Sequence, residues 1–448
     1  MPKDTSPLDP QRRSLHAILR AHLPSFLRAH ALPAFVRDEL EGYIDCGVLG
    51  CGCAVYECKG CGLARVTALS CKGRGFCPRC LGRRMSEGAR DLVQRVLPHV
   101  RIRQWTFSLP FVARVRLAFD HDRVLALWRI AHAEIDRRYR RLARKAGIAA
   151  PHGGSLLVIH RAGSDLKVNL HFHSLFLDGC YVANGQFWTA PAPSAAEVEK
   201  ILARIILRAE RLFGDDVQRE PDDDEQAIER AYALSTRGER HGPEALLTEE
   251  GDPHDFGVQL PTRRKARLGE WDLDAEVAVD EHDRERLEHL CRYLLRPPLA
   301  LDRLTLLDDG RVCIELRRAW ADRTTHVTMS PDAFIARLAT LVPRPRRNTT
   351  VYFGVLAANA TGRHDIVPCP ENERGVRPDS SWASLMKYSY GLDVLSCTRC
   401  GERLQFVDVV RDREKVRELL ERLALWTEQL PLQPARGPPD EHESCDFF

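Results

Sequence analysis

The sequence predicts an α+β protein, and three observations carry that reading. Apolar residues recur at three- and four-residue spacing in several long stretches, the pattern of helices packed on one face. Runs with strand character fall at 103–109, 155–160, 170–177 and 349–356, and LTLLDDGRVCIEL reads as a hairpin turning at Asp309–Gly310. Eight of the fifteen cysteines lie in the 35 residues from Cys46 to Cys80, a glycine-rich segment too poor in apolar residues to build its own core.

In chain order, residues 8–42 read as helix, with Leu15, Ile18, Leu19, Leu23 and Leu27 on one face and Pro24 and Pro33 dividing the stretch. The cysteine segment 46–80 follows, then a basic helix over 82–97 and a strand that ends at Pro110. A strongly basic helix is expected at 119–146, stopped by Gly147, ahead of the strands 155–160 and 170–177. A helix at 194–213 leads into the acidic run at 215–225, expected to be a solvated insertion. Residues 282–295 form a helix closed by Pro297–Pro298, and Ser330–Pro331 opens another after the hairpin. The last 20 residues, rich in proline and acid, are expected to be disordered.

A length of 448 residues suggests roughly three domains at about 150 residues each. Hydrophobic and charged contents of 44% and 29% exclude a disordered or fibrous protein. No apolar run approaches the roughly 18–20 residues of a membrane span, and the polar N-terminus has no signal-peptide core, so a cytoplasmic protein is expected. The net charge of +3 conceals an asymmetry: residues 51–150 hold 21 Lys and Arg against 7 Asp and Glu, which leaves a deficit of 11 elsewhere. A basic block of that size points to a polyanion, nucleic acid first.

The cysteines carry the first chemistry. Cys58 and Cys61 form one C-x-x-C pair and Cys77 and Cys80 another, 15 residues apart. Each pair can supply one edge of a tetrahedron, so the four are assigned a structural zinc, with Cys46, Cys51 and Cys71 as candidates for a second. Without a secretory signal, a disulfide framework is the poorer reading. Lys72, Arg74, Arg79, Arg83 and Arg84 interleave with the ligands and would give the knuckle a DNA-facing basic surface.

Strand alternation in LHFHSLFL puts His171, His173, Leu175 and Leu177 on one face and Leu170, Phe172 and Phe176 on the other. Two imidazoles at i and i+2 can approach one cation from the same side. His160, at the end of the preceding strand, is placed by a hairpin to be a third ligand. Tyr293 sits in the last turn of the 282–295 helix between Arg292 and Arg296, whose guanidiniums suit a phenolate and a phosphate. His289 lies one turn earlier on the same helical face.

Together these segments resemble the HUH-tyrosine transposases of rolling-circle insertion sequences that carry an N-terminal zinc-binding domain. The resemblance rests on CGVLGCGCAVYECKGCG, SCKGRGFCPRCLGRRM, RQWTFSLPF, IHRAGSDLKVNLHFHSLFLDG, LCRYLLRPPLALDRL and YFGVLAANA, which run in family order from about residue 10 to 405. The His-hydrophobic-His motif falls on His171–Phe172–His173 and the nucleophile on Tyr293. Members with two tyrosines carry the second one turn before the first, where this chain has His289.

The resemblance implies a helical and zinc-knuckle domain over 1–98, then an HUH nuclease domain over 99–360, an antiparallel sheet flanked by helices with an acidic insertion near 214–280. A C-terminal extension with the lone pair Cys397 and Cys400 would occupy 361–448. It implies a catalytic Mg²⁺ or Mn²⁺ on the histidines and attack by Tyr293 on single-stranded element ends, giving a 5′-phosphotyrosine that is rejoined to target DNA. The chain has no P-loop motif, so unwinding would fall to a host helicase in the nucleoid. The competing readings are a replication initiator or relaxase, and a zinc-dependent nucleic-acid module that does not cleave.

Overall fold

The computed structural model describes residues 15–214, 222–242, 264–368, 382–391 and 393–426. Among them α-helices and antiparallel sheets are mixed, as expected for α+β, with a helical and cysteine-clustered region at the N-terminus. No helix among the described residues is long and apolar enough to cross a membrane.

The N-terminal region opens with α1 (Leu15–Ala29) and α2 (Ala34–Ile44). Pro33 caps α2, but Pro24 sits inside α1 without dividing it, because buried Leu23 and Phe26 anchor the helix on both sides of the ring. Residues 8–14 of the expected helix lie outside the described residues. The hairpin β1 (Cys53–Cys58) and β2 (Ala64–Ala68) follows, then α3 (Pro78–Asp91) with Pro78 in its first turn and a π-type turn at Leu92–Val96.

The central part runs β3 (Ile102–Ser108), α4 (Phe111–Ala118), α5 (His121–Lys145), β4 (Gly154–Ala162), β5 (Val168–Leu177), a ribbon of β6 (Gly179–Tyr181) and β7 (Phe187–Thr189), and α6 (Ala195–Gly214). After α7 (Asp223–Ser235) come β8 (Glu239–His241), β9 (Lys265–Leu268), β10 (Trp271–Asp274), β11 (Ala278–Val279) and α8 (Arg284–Leu295). Then follow β12 (Leu304–Leu306), β13 (Val312–Glu315), β14 (His326–Met329), α9 (Pro331–Leu341), β15 (Thr350–Gly354) and α10 (Arg363–Ile366). The C-terminal elements are α11 (Trp382–Tyr390), β16 (Leu404–Val410) and α12 (Arg413–Arg422). The expected hairpin turn is present between β12 and β13, with Gly310 at φ 81°, and Ser330 caps α9 as expected.

A seven-stranded sheet in the order β15-β4-β5-β3-β10-β9, with β11 also on β3, organises the middle of the molecule. On one face α5 and α6 bury Trp128, Ile135, Val198 and Leu202 against Phe107, Phe172 and Phe176. On the other, α8 and the π-type turn after α3 bury Val93, Leu287, Leu290 and Leu294 against Val158, Leu175 and Leu177. Each such side chain contributes about 1.5–3 kcal/mol by leaving water. A third core joins α1 and α2 to α9 and the β12-β13-β14-β8 sheet.

Two stretches carry more structure than the sequence reading gives them. At the end of the acidic run, where Asp222, Asp223 and Asp224 are exposed, Asp222 caps α7, Glu225 completes a capping box, and Ala227, Ile228 and Ala231 are buried toward α9. Carboxylates there satisfy backbone N–H groups and the helix dipole rather than repelling order. Further along the same stretch, β9 and β10 extend the central sheet; residues 215–221 and 243–263 lie outside the described residues. The C-terminal part packs on the N-terminal module. β16 pairs antiparallel with β1, from Cys53 opposite Val410 to Cys58 opposite Leu404, and α12 covers Leu49, Val66 and Ala68. The expected disordered tail lies outside the described residues.

A buried ionic network fixes β3 against β5 and α5. Asp178, fully buried, accepts from the Arg103 Nε at 3.0 Å and from the far guanidinium nitrogen at 2.9 Å, and also from the Tyr139 hydroxyl at 3.0 Å. Trp105 Nε1 donates to that same hydroxyl at 3.1 Å, and Arg101 Nε lies 3.2 Å from Asp178. Removing one member of a buried pair strands the other's charge. Arg103→Met is therefore expected to lower stability by about 3 kcal/mol, read from the midpoint of urea unfolding against the unaltered chain.

Candidate active site and metal centres

The histidines are brought together by sheet register. His160 is the β4 partner of His171, while β3 places Ser108 opposite His171 and Thr106 opposite His173. The ring centroids of His160, His171 and His173 lie 4.5–5.1 Å apart, and one ligating nitrogen from each lies within 4.8 Å of the others. Leu175 and Leu177 continue that face into one core, and Leu170, Phe172 and Phe176 enter the opposite core, as the alternation predicts.

Each imidazole is oriented from behind. His160 Nε2 donates to the Leu294 carbonyl at 2.6 Å, and His171 Nδ1 donates to the Asn169 carbonyl at 2.8 Å, which makes the opposite nitrogens the candidate ligand atoms. His173 is held on its Nδ1 side by Gln104 at 2.8 Å and Thr106 Oγ1 at 3.2 Å. Burial, reinforced by the Arg296 charge, lowers His160 to about 4, so it is neutral at physiological pH, the form a cation requires. Three imidazoles on one sheet face, each with its second nitrogen engaged, fit a divalent metal ion.

Tyr293 approaches this cluster from a different part of the chain. Its ring meets His173 edge to face, with centroids 6.1 Å apart, in the last turn of α8. Leu287, Leu290, Cys291 and Leu294 are buried and seat that helix on the sheet, and the His160–Leu294 bond pins its end. The Arg296 guanidinium carbon stands 4.0 Å over the Tyr293 ring centroid, a cation–π contact. Arg292, expected to flank the tyrosine, instead pairs with Glu288 at 2.7 and 3.0 Å, and Glu288 also accepts from the Tyr388 hydroxyl at 2.7 Å. His289 is exposed on the helix surface.

Cysteine spacing misjudged the partners. Cys58, Cys61, Cys77 and Cys80 do not converge. Cys77 and Cys80 join Cys46 and Cys71, with sulfur separations of 3.6 Å for Cys46–Cys77 and Cys71–Cys80 and 3.8 Å for Cys46–Cys80. Cys58 and Cys61 join Cys397 and Cys400 instead. Tetrahedral zinc at about 2.3 Å from each sulfur requires sulfurs about 3.8 Å apart, so the first cluster fits the ion. Cys51 belongs to neither: its thiol donates to Asp45 Oδ1 at 3.1 Å, and burial and that carboxylate push it up to about 11.

The basic side chains divide by environment. Lys72, Arg83 and Arg84 are exposed beside the first cysteine cluster, with Arg84 donating to the Lys72 carbonyl. Arg74 donates to the Arg347 carbonyl at 2.6 Å, and Arg79 is half-buried against Gly47. The basic helix α5 is less cationic than its sequence suggests, because Arg137 pairs with Glu134, Arg140 with Asp136, and Arg138 and Arg141 with Glu197. Trp105 and Phe107 are wholly buried and do not form a stacking surface.

A cysteine-clustered module joined to a sheet of clustered histidines, with a tyrosine on the helix packed against it, has the donor sets of a metal-binding protein. Residues 18–109 match the transposase zinc-binding domain of the IS91 type, and residues 154–363 match the family described as "Putative transposase". The chain belongs to the transposases that carry an N-terminal zinc-binding domain. No curated protein and no solved structure matches it. The second match contains His160, His171, His173 and Tyr293, whereas Cys397 and Cys400 lie outside both.

Gln104 and Thr106 are the site residues that the sequence reading missed; their signal was the strand at 103–109, whose pairing with 170–177 puts Thr106 across from His173. Two outcomes are expected. Cys77→Ser should lose one zinc ion per chain by elemental analysis, together with the local fold it supports. Gln104→Ala should weaken Mn²⁺ binding to the histidines by about 10- to 100-fold, measured by titration calorimetry, with the zinc content unchanged.

Proposed function

We propose that the chain nicks single-stranded DNA at the ends of an insertion sequence and transfers the cut end through a covalent tyrosine link. The observation that carries the reading is the convergence of Tyr293 on His160, His171 and His173 from an element remote in sequence. His160, His171 and His173 would hold a divalent ion, Mg²⁺ or Mn²⁺, which would supply Lewis-acid polarisation of the scissile phosphate. Tyr293 would form the new oxygen–phosphorus bond as the DNA 3′-oxygen leaves, giving a 5′-phosphotyrosine and a free 3′-hydroxyl. Arg296, stacked over the ring, would offset the charge that grows on the phosphate. Attack by a target 3′-hydroxyl reverses the step and rejoins the strand without an external energy source.

Lys72, Arg83 and Arg84 extend the exposed basic surface beside the zinc cluster, where backbone phosphates can be held without sequence readout. A host helicase would supply the single strand, and nicking at the element end rather than at a plasmid origin is what the transposase match favours.

The test is a labelled single-stranded element end incubated with protein and Mn²⁺ and run on a denaturing gel. Tyr293→Phe is expected to abolish the protein–DNA adduct while retaining DNA binding, and His171→Ala and His173→Ala to cut adduct formation at least about a hundredfold. An adduct of wild-type yield from Tyr293→Phe removes the nucleophile assignment. No adduct from the unaltered chain with any divalent ion leaves a zinc-dependent binding module.

A further inference from the structure

We propose that Cys58, Cys61, Cys397 and Cys400 hold a second zinc ion, which clasps the C-terminal segment onto the N-terminal zinc-binding module. The inference is independent of the nicking chemistry.

The four sulfurs lie within 4.8 Å of one another, with Cys58–Cys400 at 3.4 Å and Cys61–Cys397 at 3.6 Å, near the spacing of a tetrathiolate zinc. The two loops that present them are built alike. Each reads C-x-x-C-G, as Cys58–Gly62 and Cys397–Gly401, and each glycine has a positive φ, 70° and 79°. In the first loop the Gly62 amide donates to the Cys58 carbonyl at 2.8 Å, and the Cys58 amide donates to the Leu63 carbonyl at 3.0 Å. The second loop repeats both bonds, Gly401 to Cys397 at 2.9 Å and Cys397 to Glu402 at 2.7 Å. Two copies of one turn, from opposite ends of the chain, therefore face each other sulfur to sulfur.

The surroundings favour a metal over four thiols. Cys58 and Cys397 are 0% and 3% exposed, in a small core with Leu404, Leu63 and Leu395 that is too slight to hold the two loops face to face by burial alone. Both loops hang from the β1–β16 pairing, and Arg65 reaches across to the Val394 carbonyl at 3.0 Å. A zinc on these four side chains would make residues 393–426 a required part of the DNA-binding module, although the matched zinc-binding domain ends at residue 109.

The full chain, purified without added metal, should carry two zinc ions. Cys397→Ser/Cys400→Ser and Cys58→Ser/Cys61→Ser should each leave one, and the fourfold variant should also leave one, because the two pairs share an ion. Alkylation of the unaltered chain, read by mass spectrometry, provides a second measure that does not depend on variants folding. All four cysteines should resist labelling and become reactive together when a chelator is added. Two zinc ions in Cys397→Ser/Cys400→Ser overturn the proposal. So does labelling of Cys400 in the untreated chain, or protection that yields only to a reductant and therefore marks a disulfide.

Discussion

The register of β5 between β3 and β4 is the constraint on which both core and site depend. Side chains alternate across a strand, so a slip of one residue would exchange His171 and His173 with Phe172 and Ser174. The same slip would push Leu175 and Leu177 out of one core and Phe172 and Phe176 out of the other. The cores therefore enforce the geometry of the histidines. Asp178, just beyond the end of β5, anchors the register through its bonds to Arg103 and Tyr139. A histidine cluster could not be kept in place by its own weak contacts; the buried aromatic face behind it does that.

Charge is partitioned by the fold in a way that composition conceals. The block from 51 to 150 has a large basic excess, yet much of it on α5 is neutralised by carboxylates on α5 and α6. Arg337 is completely buried and donates to the carbonyls of Ser235, Arg237 and Asp165, holding α9 against the end of α7. These arginines act as structural donors, their planar groups spanning several carbonyl or carboxylate oxygens at once. The cations that remain at the surface beside the cysteines and the tyrosine are fewer and more localised than a count suggests.

The sequence disclosed chemistry better than partnership. The H-x-H pair, the hairpin that returns His160, and Tyr293 near a helix end are short-range patterns, and periodicity alone places them. The partners of Cys58 and Cys61 were illegible because a C-x-x-C fixes one edge of a tetrahedron and says nothing about which distant pair supplies the other. Helix α7 was missed since a run of Asp and Glu reads as solvated, although Asp222 and Glu225 form a helix start. The strands β9 and β10 are four residues each, too short for alternation to show. The role of Gln104 depends on cross-strand neighbours, which only register reveals.

Because β1 lies between β2 and β16, its sheet contains residues from near both ends of the chain. On the ribosome, β1 and β2 emerge early, but β1 keeps one unpaired edge until β16 has been translated, several hundred residues later. At about 5–20 residues per second that delay is tens of seconds. Through this interval the central sheet can fold while the cysteine module stays incomplete. A chain interrupted before β16 would carry the histidines and the tyrosine but lack the finished module, so completion of that module reports that translation has run at least to residue 410.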